Sequence, residues 1–317
     1  MSIRLLKPLA GLLACAGALL LFSATAAART RPADLRVLTT SGKVLADQRQ
    51  YTSTVHIRTD PDADCFGPPG GSGQRVKVRG ATALGLVRDA LESDRRLRPL
   101  SVTDQFGFGL GVCGIGGFEA SGSGSWYLKR NHHGAQVGGD QLHLRAGDEI
   151  LWYLAPSFPY PPELVLRAPA RALPGQPFTV RVLAFGDDGK RAPVQGATVN
   201  EASAPTDAEG QATIVLDRSA NLRARHSGDI PSNIGHVCVA EDLSGCPAHR
   251  GKRIFGSRRR DRIHGTAGPD RVRARGGRDV VRLRGGERDR VNCGAGHDRA
   301  VLDSNDRARK CEQVVRR

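Results

Sequence analysis

The chain has 317 residues, room for two or three small domains at roughly 100–200 residues each, and it holds 39 glycines and 18 prolines but only 5% aromatics. That composition favours turn-rich β structure and excludes a helical bundle or coiled coil. The formal charge of +15 sits at one end: residues 247–317 carry 21 basic and 9 acidic residues, whereas residues 29–246 are nearly balanced.

Residues 1–28 read as a secretory signal. Arg4 and Lys7 precede a stretch without charge from Leu9 to Ala28, which ends in small-x-small sites at Ala24-Thr25-Ala26 and Ala26-Ala27-Ala28. No second long apolar run follows, so no transmembrane segment is expected after cleavage, and the expected location is extracellular or the cell surface. Six cysteines remain, an even number that suits disulfides in an oxidising compartment. They fall two by two into three segments, and the simplest pairing is Cys65–Cys113, Cys238–Cys246 and Cys293–Cys311. None has the C-x-x-C spacing of a redox or zinc site.

Residues 29–155 predict an α+β unit. Alternation from Tyr51 to Ile57 and from Gln74 to Val78 predicts two strands, separated by a loop rich in Asp, Pro and Gly. Ala83, Leu84, Val87, Ala90 and Leu91 recur at helical spacing with Thr82 as N-cap. Further strands are expected at Gln105–Leu110, Trp126–Leu128, Gln141–Leu144 and Glu149–Leu154. Neighbours on a strand point to opposite faces, so one aromatic of Trp126-Tyr127 and one of Trp152-Tyr153 should be buried, leaving the other for an exposed ligand platform. Gly109-Leu-Gly-Val-Cys-Gly114 has the glycine spacing of a dinucleotide loop but lacks the following helix. His132, His133 and His143 are read as turn histidines. No nucleophile elbow, zinc helix or phosphate loop occurs, so no catalytic residue is assigned and an enzyme is not expected.

The segments Val78-Arg-Gly-Ala-Thr-Ala-Leu-Gly-Leu86, Ile115-Gly-Gly117, Ser125-Trp-Tyr-Leu128 and Ala146-Gly-Asp-Glu-Ile-Leu-Trp-Tyr153 resemble the transcobalamin-like C-terminal domain, a β-grasp module. The resemblance implies a β-grasp fold over about 100 residues. Lys129-Arg-Asn-His-His-Gly134 replaces the family's short Asn-Gly turn, and no large helical partner domain is present to enclose a corrinoid, so cobalamin binding is not carried over.

Residues 156–162, with four prolines, predict a stiff linker. Residues 163–246 hold short strands at sandwich spacing, and Pro193-Val-Gln-Gly-Ala-Thr-Val199 with Thr206-Asp-Ala-Glu-Gly-Gln-Ala212 resembles bacterial immunoglobulin-like modules. Gly210 is expected at positive φ.

Residues 247–317 contain a repeat of period nine. Gly256–His264, Gly265–Arg273, Ala274–Arg282, Leu283–Asn292 (one residue longer) and Cys293–Val301 each place an Asp two residues before a small or apolar residue: Asp261, Asp270, Asp279, Asp289 and Asp298. The pattern resembles the hemolysin-type nonapeptide, which implies a parallel β-roll with calcium as cofactor and these aspartates as its ligands. In such a roll alternate copies face the same side, pairing Asp261 with Asp279, Asp270 with Asp289, and Asp279 with Asp298. Arginine beside nearly every candidate Asp, and Ser257 where glycine is expected, leave open a calcium-free roll in which Arg of one turn neutralises Asp of the next.

The fold class expected is therefore mainly β and multi-domain: a β-grasp unit, a β-sandwich and a short parallel β-roll. Three functions stay open. The first is a secreted or cell-surface modular binding protein with calcium in its repeats. The second is an electrostatic adhesin for anionic cell-envelope polymers. The third is a small-molecule scavenger that uses Trp126, Tyr127, Trp152 and Tyr153. Nucleic acid is not favoured, because the basic segment has Phe255 as its sole aromatic.

Overall fold

A computed structural model describes residues 30–107 and 109–317. The expected signal segment, residues 1–28, lies outside the described residues, as does Phe108. The protein is mainly β, with one α-helix among the described residues. No helix among them is long and apolar enough to cross a membrane.

The first module is built from β1 (Arg31–Leu38), β2 (Val44–Thr52), β3 (Val55–Arg58), β4 (Arg75–Val78), α1 (Ala83–Ala90), β5 (Leu100–Phe106), β6 (Gly109–Ile115), β7 (Phe118–Glu119), β8 (Ser125–Arg130), β9 (His133–Gly134) and β10 (Asp148–Ala155). Its principal sheet runs β2-β1-β10-β8, with β1 parallel to β10 and antiparallel pairs outside. This is the β-grasp arrangement, two hairpin-like arms joined through a helix. Thr82 caps α1, its hydroxyl accepting from the Gly85 N–H at 3.1 Å. The helix buries Ala83, Leu84, Leu86, Val87 and Ala90 against Leu35, Val37, Trp126 and Trp152.

Three sequence expectations need correction here. The alternating run Tyr51–Ile57 is the end of β2 and the start of β3, broken at Ser53–Thr54. Gln105 and Phe106 end β5 while Gly109 and Leu110 open β6, and Phe106 pairs with Gly109 across the two strands, so these residues belong to two strands and not to one. Gln141–Leu144 forms no strand; His143 makes only an isolated bridge to Thr82.

The second module stacks a sheet of Glu163–Arg167, Phe178–Phe185, Arg191–Pro193 and Gln211–Ile214 over one of Arg171–Ala172, Gly235–Val239 and Ala220–Leu222. Alternate residues fill the space between, including Leu164, Val180, Val182, Ile214, Leu222 and Val237. Gly210 has φ 74°, and a Cβ there would meet the Val182 carbonyl at 2.4 Å, so the turn requires glycine.

The third module is a two-sided parallel roll. Arg253–Phe255, Arg271–Arg273, Arg290–Asn292 and Arg307–Arg309 form one sheet, and Arg262–His264, Val280–Leu283, Arg299–Leu302 and Gln313–Arg316 the other. Ile254, Ile263, Val272, Val281, Val291 and Leu302 fill the narrow core. The roll is not a free tail. Arg253–Phe255 pairs in parallel with β2, so the first sheet of the roll and the β-grasp sheet are one nine-stranded sheet. Tyr51 of β2 plugs the end of the roll core and its hydroxyl donates to the Arg262 carbonyl at 3.1 Å. A roll otherwise exposes an apolar end that must be capped, and β2 supplies that cap. Arg275 and Arg258 both bind Glu92, and Lys252 binds Asp34, completing the joint.

The three disulfides are Cys65–Cys113, Cys238–Cys246 and Cys293–Cys311. Each closes within one module, and Cys293–Cys311 staples the last turns of the roll.

Candidate functional site: an aspartate ladder in the roll

Asp261, Asp270, Asp279, Asp289 and Asp298 are all buried, and Asp306 continues the series. Each occupies the corner where a turn enters a strand, so its side chain points into the roll. The stacking brings them together two by two along each corner. Asp279 Oδ1 accepts the Asp261 N–H at 2.8 Å, Asp289 Oδ1 the Asp270 N–H at 2.7 Å, Asp298 Oδ1 the Asp279 N–H at 2.8 Å and Asp306 Oδ1 the Asp289 N–H at 2.9 Å. One column of the ladder is therefore Asp261, Asp279 and Asp298, and the other is Asp270, Asp289 and Asp306.

The carboxylates differ in how their remaining oxygens are satisfied. Four residues before Asp261 and Asp270 stand Ser257 and Thr266, whose N–H and hydroxyl groups both bind the following carboxylate. Lys252 N–H adds a further bond to Asp270 at 2.7 Å. Asp306 is likewise held on both oxygens, its Oδ2 accepting from the Asp303 N–H. At the equivalent position before Asp279 and Asp298 stand Arg275 and Gly294, both at positive φ and neither with a hydroxyl. Asp279 Oδ2 and Asp298 Oδ2 are consequently buried without a hydrogen-bond partner. A buried carboxylate oxygen left unpaired is costly, and here two occur in adjacent rungs of one column.

Burial raises the carboxyl of Asp261 to about 6 and that of Asp279 to about 7, the latter also opposed by the charges of Asp261 and Asp298. Burial likewise raises Asp289 to about 7, with Asp270, Asp306 and Asp303 adding repulsion. Arg275 offsets part of this at Asp261, and no arginine does so at Asp279 or Asp289. Among the described residues no ion pair joins an arginine to a ladder aspartate, which corrects the expectation that Arg of one turn neutralises Asp of the next; two of the roll's arginines, Arg258 and Arg275, pair instead with Glu92. Arg260, Arg262, Arg271, Arg278, Arg290 and Arg299 are exposed, because residues flanking an inward position on a strand point outward.

Among the described residues no three His, Cys, Asp or Glu side chains converge as a metal cage. His132, His133 and His143 are not gathered either: His132 Nδ1 is held by Glu163 at 2.9 Å, and His133 Nδ1 contacts the Asn131 carbonyl.

The four aromatics named as a ligand platform are all buried, at 6% exposure for Trp126, 7% for Tyr127, 2% for Trp152 and 4% for Tyr153, which corrects the expectation of an exposed member. The tryptophans pack beneath α1. The tyrosines face the other side of the sheet beside Leu38 of β1 and Leu151 of β10, where Ile230 of the second module packs on them, and Tyr160 of the Pro-rich linker stacks on Tyr127 at 3.9 Å between ring centroids. The sheet has no solvent face at this end because a second domain packs on it.

Beside this apolar joint the same face becomes charged and opens into a cleft of about 680 Å³ between the three modules. Asp34, Arg36, Arg49, Lys129, Glu163 and Lys252 line it and mostly satisfy one another: Arg36 binds Glu163, Lys252 binds Asp34, and Arg49 binds Asp34 at 3.0 Å. Burial acts against the charge of Glu163, but Arg36, His132 and Lys129 outweigh it and hold the carboxyl below its usual range. The cleft is thus a set of electrostatic clasps between modules, which sequence reasoning missed because the paired residues lie up to 218 positions apart.

No family model, curated protein or solved structure matches the chain.

Proposed function

We propose that this chain is an exported, modular binding protein of the cell surface or surroundings whose β-roll takes calcium at one place, between the Asp279 and Asp298 rungs. The observation that carries the calcium reading is the pair of unpartnered, buried Oδ2 atoms in consecutive rungs of the same column. Hard carboxylate oxygens suit calcium, which takes 6–8 oxygen ligands. Main-chain carbonyls of the glycine turns and water would complete the shell, since the acidic side chains alone do not. Bound there, the ion would supply the positive charge that these two carboxylates lack. Asp261 and Asp270 fit a metal poorly, because hydroxyl and N–H donors already occupy their oxygens. Three disulfides suit an oxidising compartment.

Thermal unfolding of the intact, disulfide-bonded chain, metal-free and then in millimolar calcium, tests this reading. An ion that binds the folded state alone stabilises it by about 2.7 kcal/mol at a concentration 100 times its dissociation constant. Asp279→Asn keeps an oxygen for the Asp261 N–H and removes the charge. It should leave metal-free stability unchanged or raised while abolishing the calcium increment, whereas Asp261→Asn should retain the increment. A wild-type protein indifferent to calcium, or an Asp279→Asn variant that responds like wild type, would rule the site out.

A further inference from the structure

The two faces of the roll share one repeat, yet they carry arginine differently. On the sheet that continues the β-grasp sheet, Arg253 pairs with Arg271, Arg271 with Arg290, and Arg290 with Arg307. Two residues along each strand, Arg273 and Arg309 occupy a second column with Asn292 between them. All six arginines are exposed, and among the described residues none makes an ion pair or a side-chain hydrogen bond. No acidic residue shares these outward positions. Asp94, whose carboxylate feels Arg253, is taken up by Arg96 at 2.5 Å. On the opposite sheet Arg262 pairs with Val280 and Val280 with Arg299, so there arginine alternates with valine and no column forms. Basic composition alone would not sort arginine this way.

Like charges directly opposite one another on neighbouring strands are destabilising, and strands lie roughly 4.8 Å apart. Four arginines in line, and two more beside them, therefore strain the free protein and fit a ligand that brings one anionic group to each strand. Guanidinium groups bind carboxylate and sulfate through two parallel hydrogen bonds. The face is a flat sheet with no element projecting to enter a nucleic-acid groove. Its aromatic, Phe255, is 3% exposed and lies under Arg253 and Arg273, so it offers no surface for base stacking or for insertion into lipid.

We infer that the arginine columns of this sheet are a docking surface for a linear anionic polysaccharide carrying carboxylate or sulfate groups, lying along the roll axis across the four strands. This surface is separate from the aspartate column, and it stands or falls independently of calcium.

The test uses the full, disulfide-bonded chain, with heparin and polygalacturonate as the polysaccharides and duplex DNA and anionic phospholipid vesicles as competitors. Binding to the polysaccharides should weaken steeply with salt, with a slope of log affinity against log salt of about 4 if six arginines engage, taking roughly 0.7 per contact by analogy with single strands. Arg271→Glu with Arg290→Glu should lower affinity at least tenfold and flatten that slope, while Arg191→Glu with Arg218→Glu, the same charge change on exposed residues of the second module, should lower it less than twofold. Arg271→Gln with Arg290→Gln guards against misfolding, because relieving the repulsion should leave melting unchanged or raised while binding still falls. Equal losses from the two charge-reversal pairs would overturn the inference, as would binding indifferent to salt. Duplex DNA or vesicles bound more tightly than either polysaccharide, through the same arginines, would overturn it as well.

Discussion

Metal-free protein is expected to become more stable as the pH falls from about 8 to about 5. Asp279 and Asp289 are raised to about 7 and Asp261 to about 6 in the folded state, against an ordinary value of 3.8. A folded-state value above the unfolded one means that the folded roll keeps a proton the unfolded chain has released. The stability tied to that proton is complete below about pH 4, is lost as the pH climbs towards 7, and does not change further above it. A shift of about three units corresponds to roughly 4 kcal/mol for one isolated group. The three carboxylates share a ladder and cannot be summed, so a net gain on the order of 1–4 kcal/mol between pH 8 and pH 5 is expected. Below about pH 4.5 the trend turns over, because Glu163, Asp94 and Asp104 are held below their usual values and lose their partners on protonation. Calcium competes with the same protons, so its stabilisation should shrink as the pH falls. Urea unfolding at half-unit pH steps, with and without calcium, measures both trends. A metal-free stability that declines steadily from pH 8 to pH 5 would show that the ladder carboxylates are not buried as charges.

Replacing Lys129 with alanine is expected to cost about 3–5 kcal/mol, the range for removing one partner from a buried charged cluster. Lys129 is fully buried at 0% exposure, and its Nζ donates to the Phe185 and Gly186 carbonyls at 3.0 and 3.3 Å. Burial lowers its pKa, while Glu163 and Asp187 oppose that effect. Without the ammonium, two carbonyls of the second module and the carboxylate of Asp187, which also binds the Tyr127 hydroxyl, lose their shared cation. Lys129→Met keeps most of the stem volume and should recover only the packing part of the loss. Because the cluster joins two modules, the alanine variant should also separate a single unfolding transition into two and expose the Pro156–Pro162 linker to proteolysis. A loss below 1 kcal/mol with one retained transition would mean that the apolar contact of Tyr127, Tyr153 and Ile230 holds the modules together without the lysine.

The parts legible in the sequence are those with a short period or a local rule. The nine-residue recurrence of Asp before an apolar residue encodes the roll, because every rung repeats the same turn and the same inward position. Thr82 marks the start of α1 through its own hydroxyl, and the partition of six cysteines into three segments matches three disulfides that each close inside one module. What tertiary structure alone decided concerns partners far apart in the chain. β1, the strand at the centre of the β-grasp sheet, is not legible in the sequence because Pro32 and the charges of Arg31, Asp34 and Arg36 disguise it. Its inward residues Ala33, Leu35 and Val37 do alternate, but the outward ones are charged for clasps to Arg49, Lys252 and Glu163. The tyrosines of the two aromatic pairs are buried because another domain covers the second face of the sheet, which strand alternation cannot reveal. The roll begins on β2 because Tyr51 fills its open end. The hydroxyls that satisfy Asp261 and Asp270 are local to their own turns, but stacking decides that Asp279 and Asp298, with unpartnered oxygens, are neighbouring rungs of one column, and it aligns arginine in register on one face only. Both of these depend on which rung lies over which, and that is fixed by packing between turns.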